Sequence, residues 1–211
     1  AGVNAGNSIT AGGNFNTVVG DEAGTALTTG DDNTFIGYAA GDATTTATDN
    51  VAVGHDAFTA NTTGGDTVAI GANALMANTT AAGNTGLGYQ ALKTNTEGHS
   101  NVAVGKNSLK LSTTGDYNVA VGMNALDANT TADNNTAVGY DALGANTTGT
   151  GNVAVGTNAL DANTTANNNI AVGKAALGAS TTGADNVAIG ALALDANTTG
   201  GANVAIGLNA L

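Results

Sequence analysis

The chain has 211 residues, of which 42% are apolar and 9% charged, and its formal net charge is −12 with only four basic side chains. Such a charge excludes a basic surface that follows a phosphate backbone, so we expect no nucleic-acid partner. Cysteine is absent, which excludes disulfides and thiolate metal ligands. Proline and tryptophan are absent as well. No segment has the apolar length of a membrane span, so we expect no membrane insertion.

The N-terminal segment, residues 1–15, fits the pattern of the rest of the chain poorly. Val3 stands where the pattern that follows would place a glycine, and the segment is rich in glycine and asparagine. Terminal repeats are often atypical because they cover an open sheet edge. We therefore predict a degenerate N-terminal coil over residues 1–15 and a single repeat domain over residues 16–211.

That domain is organised around twelve glycines spaced 17 residues apart without insertion or deletion. They are Gly20, Gly37, Gly54, Gly71, Gly88, Gly105, Gly122, Gly139, Gly156, Gly173, Gly190 and Gly207. A fixed period of this kind is typical of a solenoid, in which each coil buries its apolar side against its neighbours. A disordered tract is disfavoured by the high apolar and low charged content. We predict an all-β fold, a parallel β-solenoid of about twelve 17-residue coils.

The three residues before each glycine predict a short strand. The first is β-branched in all twelve repeats, and the third is always Val, Ile or Leu. Because residues two apart share one face of a strand, we predict that these two columns form the core. The middle residue is alanine in nine repeats, and we predict that it lies on the opposite face.

The second half of each repeat predicts a further strand and a turn. Leucine stands four residues after the glycine from Leu75 to Leu211, which suggests the start of a second short strand. Asn-Thr-Thr-Gly or a close variant follows, and these residues favour bends. The asparagine four before each glycine and the first threonine are predicted to stack on their own copies as side-chain ladders.

The uniform alanine column suggests a binding surface, because small side chains allow another chain to approach closely. The candidate interface residues are Ala103, Ala120, Ala137, Ala154, Ala171, Ala188 and Ala205. A weaker set of candidates for contact with a sugar or protein is Tyr38, Tyr89 and Tyr140, which share one variable column. The expected partner is a second copy of the chain, and a host surface protein or glycan is a further possibility.

We predict no catalytic, cofactor or metal site, and hence no enzyme, because short stacked coils offer smooth faces instead of a pocket. His55 and His99 lie in different columns and distant coils, which disfavours a shared metal. Six Asn-Thr-Thr runs match the N-glycosylation pattern, although turn chemistry already explains them. They begin at Asn61, Asn78, Asn129, Asn146, Asn163 and Asn197.

The repeated N-V-A-V-G-x-N-A-L, as in residues 152–160, and its variant N-V-A-I-G, at residues 186–190 and 203–207, support a family resemblance. Over residues 16–211 the sequence resembles the head repeats of YadA-type trimeric autotransporter adhesins, and it is similar to bacteriophage tail-fibre proteins that use the same motif. The resemblance implies a left-handed β-roll, three chains side by side, and attachment to a surface or host.

The expected function is therefore a structural and adhesive fibre segment that is extracellular, on a cell surface or part of a virion. One alternative is a self-assembling extracellular filament subunit, because the chain stops in mid-coil at Leu211. Another alternative is an ice-binding solenoid with a flat face of alanine and threonine. Adjacent threonines point to opposite sides of an extended chain, so only one column of each pair is expected to face ice.

Overall fold

The computed structural model describes residues 2–211, and these form twelve three-residue strands and no helix. The strands are β1 (Thr17–Val19), β2 (Thr34–Ile36), β3 (Val51–Val53), β4 (Val68–Ile70), β5 (Thr85–Leu87), β6 (Val102–Val104), β7 (Val119–Val121), β8 (Thr136–Val138), β9 (Val153–Val155), β10 (Ile170–Val172), β11 (Val187–Ile189) and β12 (Val204–Ile206). The predicted all-β parallel solenoid with 17 residues per turn is confirmed.

Each strand pairs in parallel with the next one along the chain, so the twelve strands make one sheet in sequence order. The register advances by one repeat at each step: Ala154 lies beside Ala137 on one side and Ala171 on the other. Equivalent residues of successive repeats therefore form straight columns along the solenoid. Equivalent side chains in a column therefore recur along the solenoid at the spacing between strands, about 4.8 Å.

The N-terminal segment continues the stack without a strand of its own. Gly6 N–H donates to Ala23 O at 3.0 Å, and Glu22 N–H donates to Val3 O at 3.0 Å. Farther along the segment, Asp32 N–H donates to Asn14 O at 3.1 Å. These bonds place the segment against the first full repeat. Ala1, part of the predicted degenerate coil, lies outside the described residues.

The orientation of the strands is opposite to the one predicted. The middle residue of each strand points into the coil: Ala103, Ala154 and Ala188 are fully buried in one continuous core cluster. The first and third residues point outward, and Val155 is 37% exposed. The prediction that the β-branched columns form the core is therefore wrong.

The narrow interior of the coil explains this orientation. Leucines from the opposite wall fill it, and those from Leu75 to Leu177 are fully buried in the same cluster as the alanines. At Gly86, which replaces alanine in β5, an added Cβ would already lie 3.2 Å from Leu75 Cδ1. A valine at this position would overlap the leucine, because protein interiors are close-packed.

In the first repeats the large residue lies on the strand and the small one on the opposite wall of the coil, which supports the same explanation. Phe35 replaces alanine in β2 and is fully buried. On the opposite wall, Gly24 and Gly41 replace leucine, and a Cβ on either would lie about 3 Å from the Phe35 ring, at 3.1 and 2.8 Å. A large residue at the middle of a strand thus requires a glycine on the opposite wall of the coil. A leucine on the opposite wall requires an alanine at the middle of the strand.

The predicted second strand does not form. The leucines lie within consecutive turns and have positive φ angles, such as 49° at Leu75 and 52° at Leu160. Leu160 is held there because its N–H donates to Ala176 O at 3.0 Å and its O accepts from Asn163 N–H at 3.1 Å. The left-handed conformation costs about 1 kcal/mol or more, and it directs the side chain into the core.

The repeat glycine is required both by its conformation and by its neighbours. Gly156 has φ 136°, a region that residues with a side chain rarely adopt. A Cβ at this position would lie 2.6 Å from Gly173 O in the next coil. The column of glycines therefore lets successive coils approach to the spacing of a parallel sheet.

Two polar columns close the coils, as predicted for the asparagine and threonine ladders. Asn152 accepts the N–H of Asn169 at 2.9 Å, while its own Nδ2 donates to Asn135 Oδ1 at 3.2 Å and to Ala166 O at 2.8 Å. The threonine ladder differs in detail, because each hydroxyl donates to the backbone of the next coil: Thr147 Oγ1 donates to Thr164 O at 3.0 Å.

Candidate interaction surface

The outward side of the sheet is an apolar surface that runs the length of the solenoid. We call it the valine face, defined as the first and third residues of β1 to β12. Val, Ile or Leu occupies twenty of its twenty-four positions. The other four are Thr17, Thr34, Thr85 and Thr136. It is the only sheet face that the described residues turn to solvent.

The valine face is both exposed and uncharged. Ten of its twenty apolar side chains are exposed, such as Val138 at 36% and Val172 at 37%, and the other ten are half-buried. None of the sixteen acidic residues lies on a strand. Monomeric proteins rarely expose a continuous apolar surface of this extent, so it is the strongest candidate for an interaction surface.

The predicted alanine interface is wrong. Ala103, Ala120, Ala137, Ala154, Ala171 and Ala188 are fully buried inside their own chain, and Ala205 is 4% exposed. Since the core of the coil already covers these side chains, they cannot contact a second chain. In the sequence, two columns of bulky side chains flank one of alanine, but both faces are apolar, so this pattern alone does not show which face points inward.

The three tyrosine candidates are exposed, as expected, and lie just after the repeat glycine beside the strand ends. Tyr38 stacks on His55 with ring centroids 5.0 Å apart, and His55 Nδ1 lies 3.0 Å from Asp56 Oδ2. The hydrogen bond with Glu22 raises the pKa of the Tyr38 phenol above its ordinary value. Tyr38 is thus held by neighbouring side chains and is not a free ring.

The other two tyrosines occupy equivalent positions three and six coils farther on. Lys106 Nζ lies 6.0 Å from the centre of the Tyr89 ring, at the outer limit of a cation–π contact. A hydrogen bond with Asp141 raises the pKa of the Tyr140 phenol. The structure therefore does not bring the three tyrosines together, and each has a different polar neighbour.

No group of three or more His, Cys, Asp or Glu side chains suited to a metal ion is found among residues 2–211. The part of the chain that the structure describes also contains no pocket. His99 lies far from His55, and its Nδ1 accepts the N–H of Ala82 at 3.1 Å. This bond satisfies the backbone of the neighbouring coil.

Residues 2–211 form no helix, and so none that could span a membrane.

The asparagines of the N-glycosylation patterns form hydrogen bonds that stabilise the fold. Asn61, Asn78, Asn129, Asn146 and Asn163 are fully buried. Their side-chain amides hydrogen bond within the coils; for example, Asn146 Nδ2 donates to Gly149 O at 2.9 Å. A glycan on such an amide would remove a donor and open the coil, so the turn explanation of these motifs fits the structure.

The threonine columns offer one row of exposed side chains, consistent with the expectation that only one column of each pair faces outward. The second threonine of each Asn-Thr-Thr run, such as Thr148 or Thr165, is exposed. The first, such as Thr147, is half-buried and donates its hydroxyl to the next coil. An ice-binding surface built on these threonines would therefore have a single row of free hydroxyls.

Comparison of the chain with protein-family models, with curated proteins and with solved structures gave no match in any of the three.

Proposed function

We propose that this chain is a rigid structural segment of an extracellular or virion fibre, in which copies of the chain pack together through the valine face. The observation that carries the proposal is one uncharged sheet face on which ten apolar side chains are exposed and ten more are half-buried. A solenoid supplies the rigidity because each coil is hydrogen bonded to the next along its whole length.

Another copy of the same chain is the partner that this face fits best. Its columns of side chains repeat at the spacing between parallel strands, and only a partner with the same spacing stays in register along twelve coils. Each chain carries a net charge of −12, and like charges oppose association. The valine face lets two chains meet where neither one carries charge.

The apolar area is sufficient for a stable assembly. Burial of one further methylene-sized group at each of the twenty apolar positions stabilises by about 16 kcal/mol. Association costs about 4–15 kcal/mol in lost freedom of motion. The resemblance to trimeric adhesins favours three copies around a common axis, and attachment to a host surface as the role of the fibre.

Solution mass tests the assembly. A chain of 20.1 kDa gives a trimer of about 60 kDa. We expect wild-type protein to sediment at the oligomeric mass, and the double variant Val155→Lys with Val172→Lys to sediment as a monomer that keeps its β-type circular dichroism. These two valines are neighbours in adjacent strands of the valine face.

Thr148→Lys with Thr165→Lys is the matched control. It adds the same two charges in adjacent coils, at exposed positions away from the strands, and is expected to keep the oligomeric mass. A wild-type protein that remains a monomer at high micromolar concentration contradicts the proposal, and so does a valine variant that keeps its oligomeric mass. Long filaments in electron micrographs would instead favour the filament subunit.

The adhesive role needs a separate measurement. Fluorescent beads coated with the protein are expected to be retained on monolayers of mammalian or bacterial cells, compared with beads coated with albumin. The triple variant Tyr38→Ala, Tyr89→Ala and Tyr140→Ala tests the exposed rings. No retention on any cell type contradicts adhesion while leaving the structural role intact. Thermal hysteresis at micromolar protein concentration would identify ice binding instead.

A further inference from the structure

A second column of asparagines, separate from the column that precedes the strands, lies seven residues after the repeat glycines from Gly54 to Gly190. We call it the inner amide ladder. Asn78 Nδ2 donates to Asn61 Oδ1 at 3.1 Å, and Asn95 Nδ2 donates to Asn78 Oδ1 at 3.1 Å. Each amide nitrogen makes a second bond within its own coil, as Asn95 Nδ2 does to Gly98 O at 2.9 Å. Where asparagine follows asparagine, each rung therefore bonds both to the preceding coil and to its own backbone.

Serine interrupts this ladder at two places, Ser112 and Ser180, and both serines are fully buried. Serine has two side-chain atoms other than hydrogen where asparagine has four, so it does not reach the neighbouring rungs. The same pattern of unpartnered atoms results at both places. Neither serine hydroxyl has a hydrogen-bond partner, and neither does the Oδ1 atom of the preceding rung, Asn95 in one case and Asn163 in the other.

These four atoms destabilise the fold, because a buried polar atom without a hydrogen-bond partner loses about 1–3 kcal/mol of hydration. Rotating the Asn95 amide by half a turn does not supply the missing partners. Asn95 Nδ2 already faces two oxygen atoms, Asn78 Oδ1 and Gly98 O. Exchanging its nitrogen and oxygen would bring oxygen against oxygen, so Asn95 Oδ1 must point towards Ser112.

We propose that each interruption is a specific binding site for one internal water molecule, which takes the place of the missing amide group. At Ser112 the water donates one hydrogen to Asn95 Oδ1 and the other to Gly115 O, the two acceptors that an asparagine at this position would serve. Its oxygen accepts from the Ser112 hydroxyl. Gly115 O has capacity for this bond, because its side-chain donor is Asn101 Nδ2 alone, at 2.8 Å.

A fourth partner comes from the next coil. Asn129 Nδ2 donates to Ala132 O at 3.1 Å and has a second hydrogen that points along the ladder, as Asn146 Nδ2 donates to Asn129 Oδ1 at 3.2 Å. Two acceptors and two donors around one site match the hydrogen-bonding pattern of water. A cation does not fit, because it would face the amide hydrogens of Asn129.

The site at Ser180 repeats this arrangement four coils farther on. Asn163 Oδ1 and Ser180 Oγ are unpartnered, and Gly183 O accepts from Asn169 Nδ2 at 2.9 Å. In the next coil, Asn197 Nδ2 donates to Gly200 O at 2.9 Å. Two independent copies of one polar arrangement support a built site over a local irregularity. Both sites are inside the chain, so the inference does not depend on the proposed oligomer.

Magnetic relaxation dispersion of the oxygen-17 signal of water counts internal waters that exchange slowly. We expect this count to fall by one in Ser112→Asn and by two when Ser180→Asn is added, because the asparagine amide then completes the ladder. Ser108→Ala is the control. Its buried hydroxyl already donates to Gly105 O at 2.9 Å, and all eleven other repeats have alanine there, so the count should not change.

A crystal structure of the wild-type chain at better than about 1.5 Å gives a second readout that does not depend on a variant folding. It should show a fully occupied water oxygen within hydrogen-bonding distance of Asn95 Oδ1 and Ser112 Oγ, and a second one at Asn163 and Ser180. Serine hydroxyls rotated onto a backbone carbonyl with no ordered water beside them would overturn the proposal. An unchanged water count in the double asparagine variant would also overturn it.

Discussion

Ala154 and Val155 are adjacent residues of β9 that face opposite ways: Ala154 is fully buried in the coil, and Val155 is 37% exposed on the valine face. Ala154→Asp places an unpaired charge in the core and should cost about 4 kcal/mol or more. Val155→Asp should leave the stability of the single chain nearly unchanged. Urea unfolding of dilute, monomeric protein compares the two, and a larger loss in Val155→Asp would contradict this orientation.

Gly86 and Gly88 lie in the same repeat, and we expect replacement by alanine to have opposite effects on stability at the two positions. Gly86→Ala adds the alanine that other repeats have at this strand position, and the nearest atom is the flexible end of Leu75 at 3.2 Å. We expect it to stabilise the chain by about 0.5–1 kcal/mol. The gain comes from the less flexible unfolded chain and the buried methyl group.

Gly88→Ala should be destabilising by about 2 kcal/mol or more, because Gly88 has φ 141° and its Cβ would lie 2.5 Å from Gly105 O. Thermal melting of both variants beside wild type makes the comparison. If both substitutions lower the melting temperature equally, the interior at Gly86 is tighter than the structure shows.

Asn118 tests the ladder that precedes the strands. Its Oδ1 accepts the N–H of Asn135 at 3.0 Å, and its Nδ2 donates to Ala132 O at 2.8 Å. Asn118→Ala leaves the buried N–H of Asn135 without a partner and should cost about 2–4 kcal/mol. Denaturant unfolding provides the measurement.

Asn118→Thr should be milder than Asn118→Ala, because the chain already uses threonine once in this column. Thr67 Oγ1 accepts the N–H of Asn84 at 3.4 Å, a long bond that still satisfies the donor. Equal destabilisation by alanine and threonine would show that the accepted bond contributes little.

Asp127 predicts a dependence of stability on pH. Burial, and then the nearby Asp141, raise the pKa of the Asp127 carboxyl above its ordinary value of 3.8. An acid with a raised pKa binds its proton more tightly in the folded chain, so its charge destabilises the fold as the pH rises above 3.8. Asp127→Asn should therefore raise the melting temperature at pH 7, and the gain should disappear as the pH falls below 3.8.

Asp195→Asn is the control, because Asp195 occupies the same column on a more exposed part of the solenoid. It should change the melting temperature much less than Asp127→Asn at pH 7. A gain from Asp127→Asn that persists unchanged at pH 3 would contradict an electrostatic cause.

Much of the architecture was predictable because it depends on rules that act within one repeat or between identical neighbours. The glycine period gave the 17-residue coil, and the β-branched residues before each glycine marked the strands that the structure shows at these positions. The asparagine ladder followed from the repetition of one polar residue, since a buried amide in a stack meets its own copy. The inner ladder and its serine interruptions were not predicted, because their burial depends on how the coil closes.

The period, the strands and the turns follow from local patterns in the chain, whereas the side of each strand that faces inward depends on how the coil closes. Alternation along Val153, Ala154 and Val155 separates two faces, but both are apolar, so polarity does not choose between them. The choice depends on the distance between opposite walls of the coil. Leu160 and its copies already fill that distance, so alanine is the largest common residue that fits opposite them, and the valines must lie outside.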